Sequence, residues 1–241
     1  MKQKTRPFLR DALTVTMVVM MMALLSSCGK DPQPSQDIRF SILGDSYSTF
    51  EGYVDPESND VWGLYDTIGV TDVRQMWWWQ LVDSTGWQLE KNNSFSGSLI
   101  CNMNYANYFG PHSFLRRMDD LGNPDVIFVF GGTNDVWDEA PLGDYVFSYW
   151  TEEQLCTFRP ALACLFYRLK NRYSNAKLYF MIDLSLDDAY IASIHRIAHY
   201  YDVECIDLYY VEKDWNHPTI AGQTIIDQQV LEALILDGVI F

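Results

Sequence analysis

Four short segments of this chain carry residue types that together can do acyl-transfer chemistry. Gly44-Asp45-Ser46 places a hydroxyl at the end of one apolar run. Asn92-Asn93-Ser94-Phe95-Ser96-Gly97 and Gly131-Gly132-Thr133-Asn134-Asp135 place small residues and amides at the ends of two others. Asp214-Trp215-Asn216-His217-Pro218 sets an acid three residues before an imidazole, just ahead of a helical pattern. A serine at a strand-to-helix turn presents its hydroxyl to a cleft, and the N–H groups unpaired at the helix start point into the same space. His217 is suited to take the Ser46 proton, and Asp214 to orient the imidazole from a tight turn. Gly97 lets a backbone N–H approach a ligand with no Cβ in the way. Asn134 offers a neutral amide donor to a developing oxyanion. Nucleophile, base, orienting acid and three donors, the third being the Ser46 N–H, are all present.

For these segments to meet, the elements between them must fold in a particular way. Five apolar or β-branched runs read as strands: Ile38 to Leu43, Trp87 to Asn92, Asp125 to Phe130, Lys177 to Ile182 and Val203 to Leu208. Helical patterns lie between and after them, from about Val73 to Ser84, Thr151 to Tyr173, Asp188 to Tyr201 and Thr219 to Leu236. Thr151-Glu152-Glu153-Gln154 has the form of a capping box, and Leu155, Phe158, Leu162, Leu165, Phe166 and Leu169 share one face of the helix that follows. Pro160 inside that pattern is expected to kink it. Alternation of strands and helices predicts one domain with a parallel, doubly wound α/β sheet. In such sheets reactive groups gather at the carboxyl ends of the strands, which is where the first three segments fall.

In this order, Gly44-Asp45-Ser46, Gly97, Gly132-Thr133-Asn134-Asp135 and Asp214-x-x-His217-Pro218 resemble the four blocks of the SGNH, or GDSL-type, hydrolases, over residues 38 to 225. The resemblance implies a flavodoxin-like, three-layer α/β/α fold with a five-stranded parallel sheet, and hydrolysis of carboxylic esters with no metal or other cofactor. It implies that Ser46 is the nucleophile, that Asp214 and His217 complete the triad, and that Ser46, Gly97 and Asn134 form the oxyanion hole. About fifty residues separate Ser46 from Gly97, and Tyr53 to Asp72 reads as an insertion over the active-site face.

Composition narrows the classes of partner. With 48% hydrophobic and 20% charged residues, 241 residues allow one sizeable core. Seventeen Lys and Arg against thirty-two Asp and Glu leave a net charge of -15, which argues against nucleic acid and against an anionic membrane surface as partners. Lys2, Lys4, Arg6 and Arg10 precede an apolar stretch from Ala12 to Leu25, too short for the roughly 20 residues of a spanning helix. Leu25-Ser26-Ser27-Cys28 closes it and resembles a bacterial lipobox, in which the cysteine is acylated and becomes the new N-terminus. The expected organisation is a lipoprotein signal peptide over 1–27, a tether over 28–37 and the hydrolase domain over 38–241. Loss of the leader removes four positive charges and Asp11, taking the net charge from -15 to -18. The expected location is the cell envelope. Gly29 favours the outer membrane, with the lipid on Cys28 as membrane partner.

Other features read as structural. His195 and His199 stand four apart, but Arg196 occupies the place of a zincin glutamate, so solvent-facing histidines are expected and no metal. His112 is read as a loop residue. Cys101, Cys156, Cys164 and Cys205 have no CxxC spacing, so buried thiols are the default. Adjacent residues on a helix point about 100° apart, so of Trp77-Trp78-Trp79 at least one is expected in the core, leaving another available to stack on a sugar ring. The substrate class favoured is an acylated carbohydrate, and deacetylation the reaction. The alternatives are a lipid esterase or lysophospholipase and, from another class, a non-catalytic glycan-binding lipoprotein.

Overall fold

The computed structural model describes residues 37–55, 59, 68–103 and 110–240. The expected signal peptide, Cys28 and almost all of the tether lie outside the described residues, as does most of the Tyr53 to Asp72 stretch. The strands of the sheet are β1 (Arg39–Gly44), β2 (Gln88–Ser94), β3 (Val126–Phe130), β4 (Lys177–Asp183) and β5 (Glu204–Leu208). All pair in parallel, in the order β2-β1-β3-β4-β5. Each lies within two residues of its expected bounds.

Alternation along the strands builds two cores. Phe40, Ile42, Val126, Phe128, Phe130, Tyr179 and Met181 face one side, packed with Trp77, Trp78 and Leu81 of α1 (Trp77–Thr85) and with Ile226, Val230 and Leu234. Leu43, Ile127, Val129, Leu178, Phe180 and Ile182 face the other, packed with the apolar sides of two helices over 158–172 and 188–201. Both faces are covered, which is why β3 reads as an unbroken apolar run with all five residues buried. Each fully buried large side chain there contributes about 2–3 kcal/mol.

The short helices α2 (Phe114–Arg117) and α3 (Thr133–Trp137) flank β3 in sequence. Then come α4 (Phe158–Arg172), α5 (Asp188–Tyr201), a hairpin of β6 (Lys213–Asp214) and β7 (His217–Pro218), and α6 (Ile220–Leu236). Two expectations are corrected. Thr151 and Gln154 do exchange the two hydrogen bonds of a capping box, but a 3-10 turn over Gln154–Cys156 follows them, and α4 begins at Phe158. Pro160 is therefore in the first turn of α4, where an N–H would have no intrahelical acceptor, so it does not kink the helix. Trp77 and Trp78 are both fully buried, and Trp79 packs on Tyr53 and Trp78, so the triplet serves the core. Cys101 and Cys164 are buried thiols.

Candidate active site

The strand order reverses between β1 and β3, so their carboxyl ends diverge and leave a crevice. Ser46 follows β1 directly in a single 3-10 turn, Ser46–Ser48. Asp45 caps that turn, its carboxylate accepting from the Tyr47 N–H at 3.0 Å. Gly44 must be glycine, because a Cβ would stand 2.6 Å from Ser94 Oγ. Below the turn, Trp77 Nε1 donates to Ser48 Oγ at 3.1 Å, and Trp78 Nε1 and Asn92 Nδ2 donate to the Ser48 carbonyl at 3.0 and 2.8 Å. The tryptophan pair is thus the floor on which the serine turn rests.

His217 arrives from the opposite side. β6 and β7 pair antiparallel, Asp214 opposite His217, and the two turn residues have left-handed backbone: Trp215 at φ 47° and Asn216 at φ 61°. That is the form of a two-residue hairpin whose twist suits its strands, and it is strained for a tryptophan. Tyr47, next to the serine, donates its hydroxyl to the Asn216 carbonyl at 2.6 Å and sets its ring edge-on to the imidazole, centroids 5.5 Å apart. The outcome is a separation of 3.0 Å between Ser46 Oγ and His217 Nε2, with both residues 5% exposed.

On the other side of the ring, Nδ1 lies 3.0 Å from the Trp215 carbonyl oxygen. A carbonyl only accepts, so Nδ1 carries the proton and Nε2 keeps its lone pair for the serine hydroxyl. Asp214 was expected at Nδ1; its side chain is exposed, and among the described residues no hydrogen bond or ion pair joins it to the ring. Burial holds His217 below the ordinary histidine range, helped by the Lys213 charge and opposed by the Trp215 carbonyl. Desolvation thus favours the neutral imidazole, the form that accepts a proton.

The second and third segments close around the serine. Gly97 sits in a turn at φ 71°, a conformation glycine adopts without strain. Asn59, from the inserted stretch, holds that loop from outside: its Nδ2 donates to the Ser94 carbonyl at 2.8 Å and its Oδ1 accepts from the Ser96 N–H at 2.9 Å. Among the described residues neither the Ser46 N–H nor the Gly97 N–H has an acceptor. Asn134, in α3, donates from Nδ2 to the Ser98 carbonyl at 3.0 Å and lies 3.5 Å from Asp45 Oδ2. Its amide orientation is thereby fixed toward the Asp45–Ser98 side of the crevice. Asp135 accepts from the Ile100 and Cys101 N–H groups at 2.8 and 3.2 Å, and burial pushes its carboxyl up to about 6 against those bonds.

Arg117, which its sequence context does not single out, is the buried centre of this frame. Its guanidinium donates to the Gly44 carbonyl at 3.0 Å, to Ser98 Oγ at 2.9 Å, to the His112 carbonyl at 2.6 Å and to the Asn93 carbonyl. One side chain thereby ties the end of β1, the end of β2 and the glycine loop. Burial pulls it down to about 9 against the charge of Asp45, and burial likewise pushes Asp45 up to about 7. The one sequence signal was two arginines inside the apolar run Phe114-Leu115-Arg116-Arg117-Met118. His112 stacks on Phe95 at 3.9 Å, and His195 pairs with Asp207 at 3.3 Å; both lie outside the serine–histidine pair. A cavity of about 280 Å³ between residues 52–55 and β2 contains neither Ser46 nor His217, so the chemistry is placed at the pair and not at the cavity.

Known proteins share the family and the fold. The profile of the GDSL-like Lipase/Acylhydrolase family matches residues 38–234. A candidate GDSL-like lipase from Bacteroides ovatus is 42% identical, with a TM-score of 0.79, covering 83% of this chain and 99% of that one. A second, from Bacteroides uniformis, is 40% identical, with a TM-score of 0.79 and coverages of 83% and 96%. A family two carbohydrate esterase from Clostridium thermocellum, solved with cellohexaose, shares the fold at 14% identity and a TM-score of 0.54, over 86% of this chain and 66% of that one. No curated protein matches the sequence. With a family profile spanning nearly the whole described domain over a three-layer α/β/α fold, the chain belongs to the GDSL-like lipase/acylhydrolase family and is an SGNH-type ester hydrolase.

Proposed function

We propose that the protein is a serine esterase that removes a short acyl group, acetyl above all, from a carbohydrate. The observation that carries this reading is the 3.0 Å contact between Ser46 Oγ and His217 Nε2 at the reversal point of the sheet. Ser46 attacks the ester carbonyl while His217 takes its proton on Nε2. The oxyanion is met by the N–H groups of Ser46 and Gly97 and by the Asn134 amide. The imidazolium returns the proton to the departing alkoxide, and water, activated by the same imidazole, releases the acid. The Trp215 carbonyl holds the ring, and Asp214 adds its charge from the exposed end of the hairpin. A saccharide alcohol is supported by Trp137, 43% exposed with its ring 5.9 Å from the imidazole, which offers an aromatic face beside the reacting atoms. The shared fold with a glycan-bound carbohydrate esterase supports the same class.

The test is a comparison of kcat/KM on an acetylated oligosaccharide and on esters from acetyl to palmitoyl. Acetyl esters are expected to be fastest, whereas preference for palmitoyl or for a lysophospholipid would replace this reading with a lipid esterase. In the same assay Asn134→Ala should lower kcat about a hundredfold to a thousandfold with KM little changed, because the donor acts on charge that develops in the transition state. Asp214→Asn should cost about tenfold or less, since the tautomer is set by a backbone carbonyl; a buried triad aspartate accounts for about 10⁴. A loss of that larger size would restore Asp214 as the group that orients the ring.

We further propose export as an envelope lipoprotein, with 1–27 as signal peptide, Cys28 as the lipidated residue, 28–37 as tether and 38–241 as the hydrolase domain. Wild type should partition into a detergent phase, and Cys28→Ser should lose acylation and be left unprocessed or soluble. Wild type found in the aqueous phase contradicts the anchor.

A further inference from the structure

The hairpin that delivers His217 has only two residue pairs, too few for stability on its own, so its position must come from ties to the sheet. Tyr47 supplies one tie, at the turn. The other is Lys213, at the start of β6. Its ammonium donates to Asp183 Oδ2 and to Ser185 Oγ, the latter at 2.7 Å, and stands 5.4 Å over the Tyr47 ring. Asp183 ends β4, and its other oxygen accepts from the Ser185 N–H at 3.0 Å. The pair is largely shielded, with 18% of the lysine side chain and 4% of the aspartate exposed. Burying an ion pair is seldom a net gain in stability, so its place at the start of the hairpin that carries the base calls for another explanation.

We propose that Lys213, clamped by Asp183, is a positioning residue for ester hydrolysis: it fixes the hairpin that carries His217 and sets the electrostatic field at the imidazole. The inference rests on the reading of His217 as the base. A cation on the hairpin that carries the ring, one register position from His217, disfavours imidazolium, so it keeps Nε2 able to accept the Ser46 proton at lower pH. The other titratable groups on the elements around the ring are Asp45 and Tyr47 at the serine turn, Asp214 on β6, Asp135 and Asp138 at α3, and Asp227 on α6. Asp135 is bonded to two N–H groups, and burial alone pushes Asp227 up to about 7. Asp45 is likewise pushed up by burial to about 7. The charge of Lys213 acts on His217 and lowers its affinity for a proton.

The experiment measures the acid limb of the kcat/KM pH profile and, independently of activity, the imidazole titration of His217 by NMR. Lys213→Met should raise both midpoints by about half a unit or more, with kcat lowered and KM little changed. Lys213→Arg should restore the wild-type midpoint. Asp183→Asn leaves the cation uncompensated, so its midpoint should fall or stay. A rise in Lys213→Met with no rise in Asp183→Asn separates a field effect from a loosened hairpin, which would move both the same way. An unmoved or lowered midpoint in Lys213→Met, or a rise in Asp183→Asn, overturns the proposal, and Asp183→Asn alone decides if Lys213→Met does not fold. NMR midpoints that move as expected in a protein that hydrolyses no ester overturn the base assignment and leave the field at His217 standing.

Discussion

Ser46→Ala is expected to lower kcat by about 10⁴-fold or more while leaving the fold intact. The Ser46 hydroxyl meets His217 Nε2, and no part of the surrounding frame hangs from it. The turn is held by the Asp45 cap, by the two tryptophan indoles and Asn92 on Ser48, and by Thr49 Oγ1 donating to the Ser46 backbone carbonyl at 3.2 Å. Removing one oxygen leaves the oxyanion donors in place, so binding should survive, but no acyl-enzyme can form and water must attack unaided. The change in stability should be within about 1 kcal/mol, the usual net worth of one hydrogen bond. Steady-state rates on an aryl acetate, paired with thermal unfolding of the same preparation, check both halves. Activity persisting in purified Ser46→Ala would remove the serine-esterase reading.

Arg117→Met should be among the most destabilising single changes, at about 3–5 kcal/mol. It leaves the Asn93 and His112 carbonyls and the Ser98 hydroxyl without this donor, leaves the Gly44 carbonyl with the Phe95 N–H alone, and takes the counter-charge from Asp45. Because those acceptors lie on three separate segments, a lysine cannot substitute well: its donors radiate from one nitrogen, whereas the guanidinium fork spans them. Folded enzyme should also lose turnover, since Gly44 precedes the serine turn and Ser98 follows Gly97. Denaturant unfolding of Arg117→Met and Arg117→Lys gives the measurement. A loss under about 1 kcal/mol in Arg117→Met would mean that the frame is held by other groups.

The strands were legible as short apolar or β-branched runs bounded by small or polar residues, most plainly β3, buried on both faces from Val126 to the two glycines after Phe130. Asp188 to Tyr201 was legible as a helix because Tyr190, Ile194 and Ile197 recur at helical spacing. Less could be read where tertiary contacts decide the conformation. α2 and α3 are four and five residues long, below the length at which periodicity speaks. Residues 138–153 carry no strand or helix, yet Tyr190 and Tyr201 donate to the Ala140 and Phe147 carbonyls and hold the segment on α5. Pro160 misled because a proline signals a kink only inside a helix, and the boundary at Phe158 depends on where Thr157 leaves helical backbone. Within the site, side-chain chemistry was visible in the serine, histidine and amide positions. The Trp215 carbonyl and the ties of Arg117 and Lys213 were not, since a backbone oxygen has no residue type and the partners of these two cations lie on segments far apart in sequence.

Covalent labelling decides whether Ser46 is a nucleophile activated by His217. A fluorophosphonate reacts with an activated serine by losing fluoride and forming a bond from Oγ to phosphorus, and peptide mass spectrometry then locates the adduct. A single adduct is expected on the peptide that contains Ser46, formed in step with loss of ester hydrolysis and absent in His217→Ala. An adduct on another residue as activity disappears, or full labelling of Ser46 with hydrolysis undiminished, would contradict it.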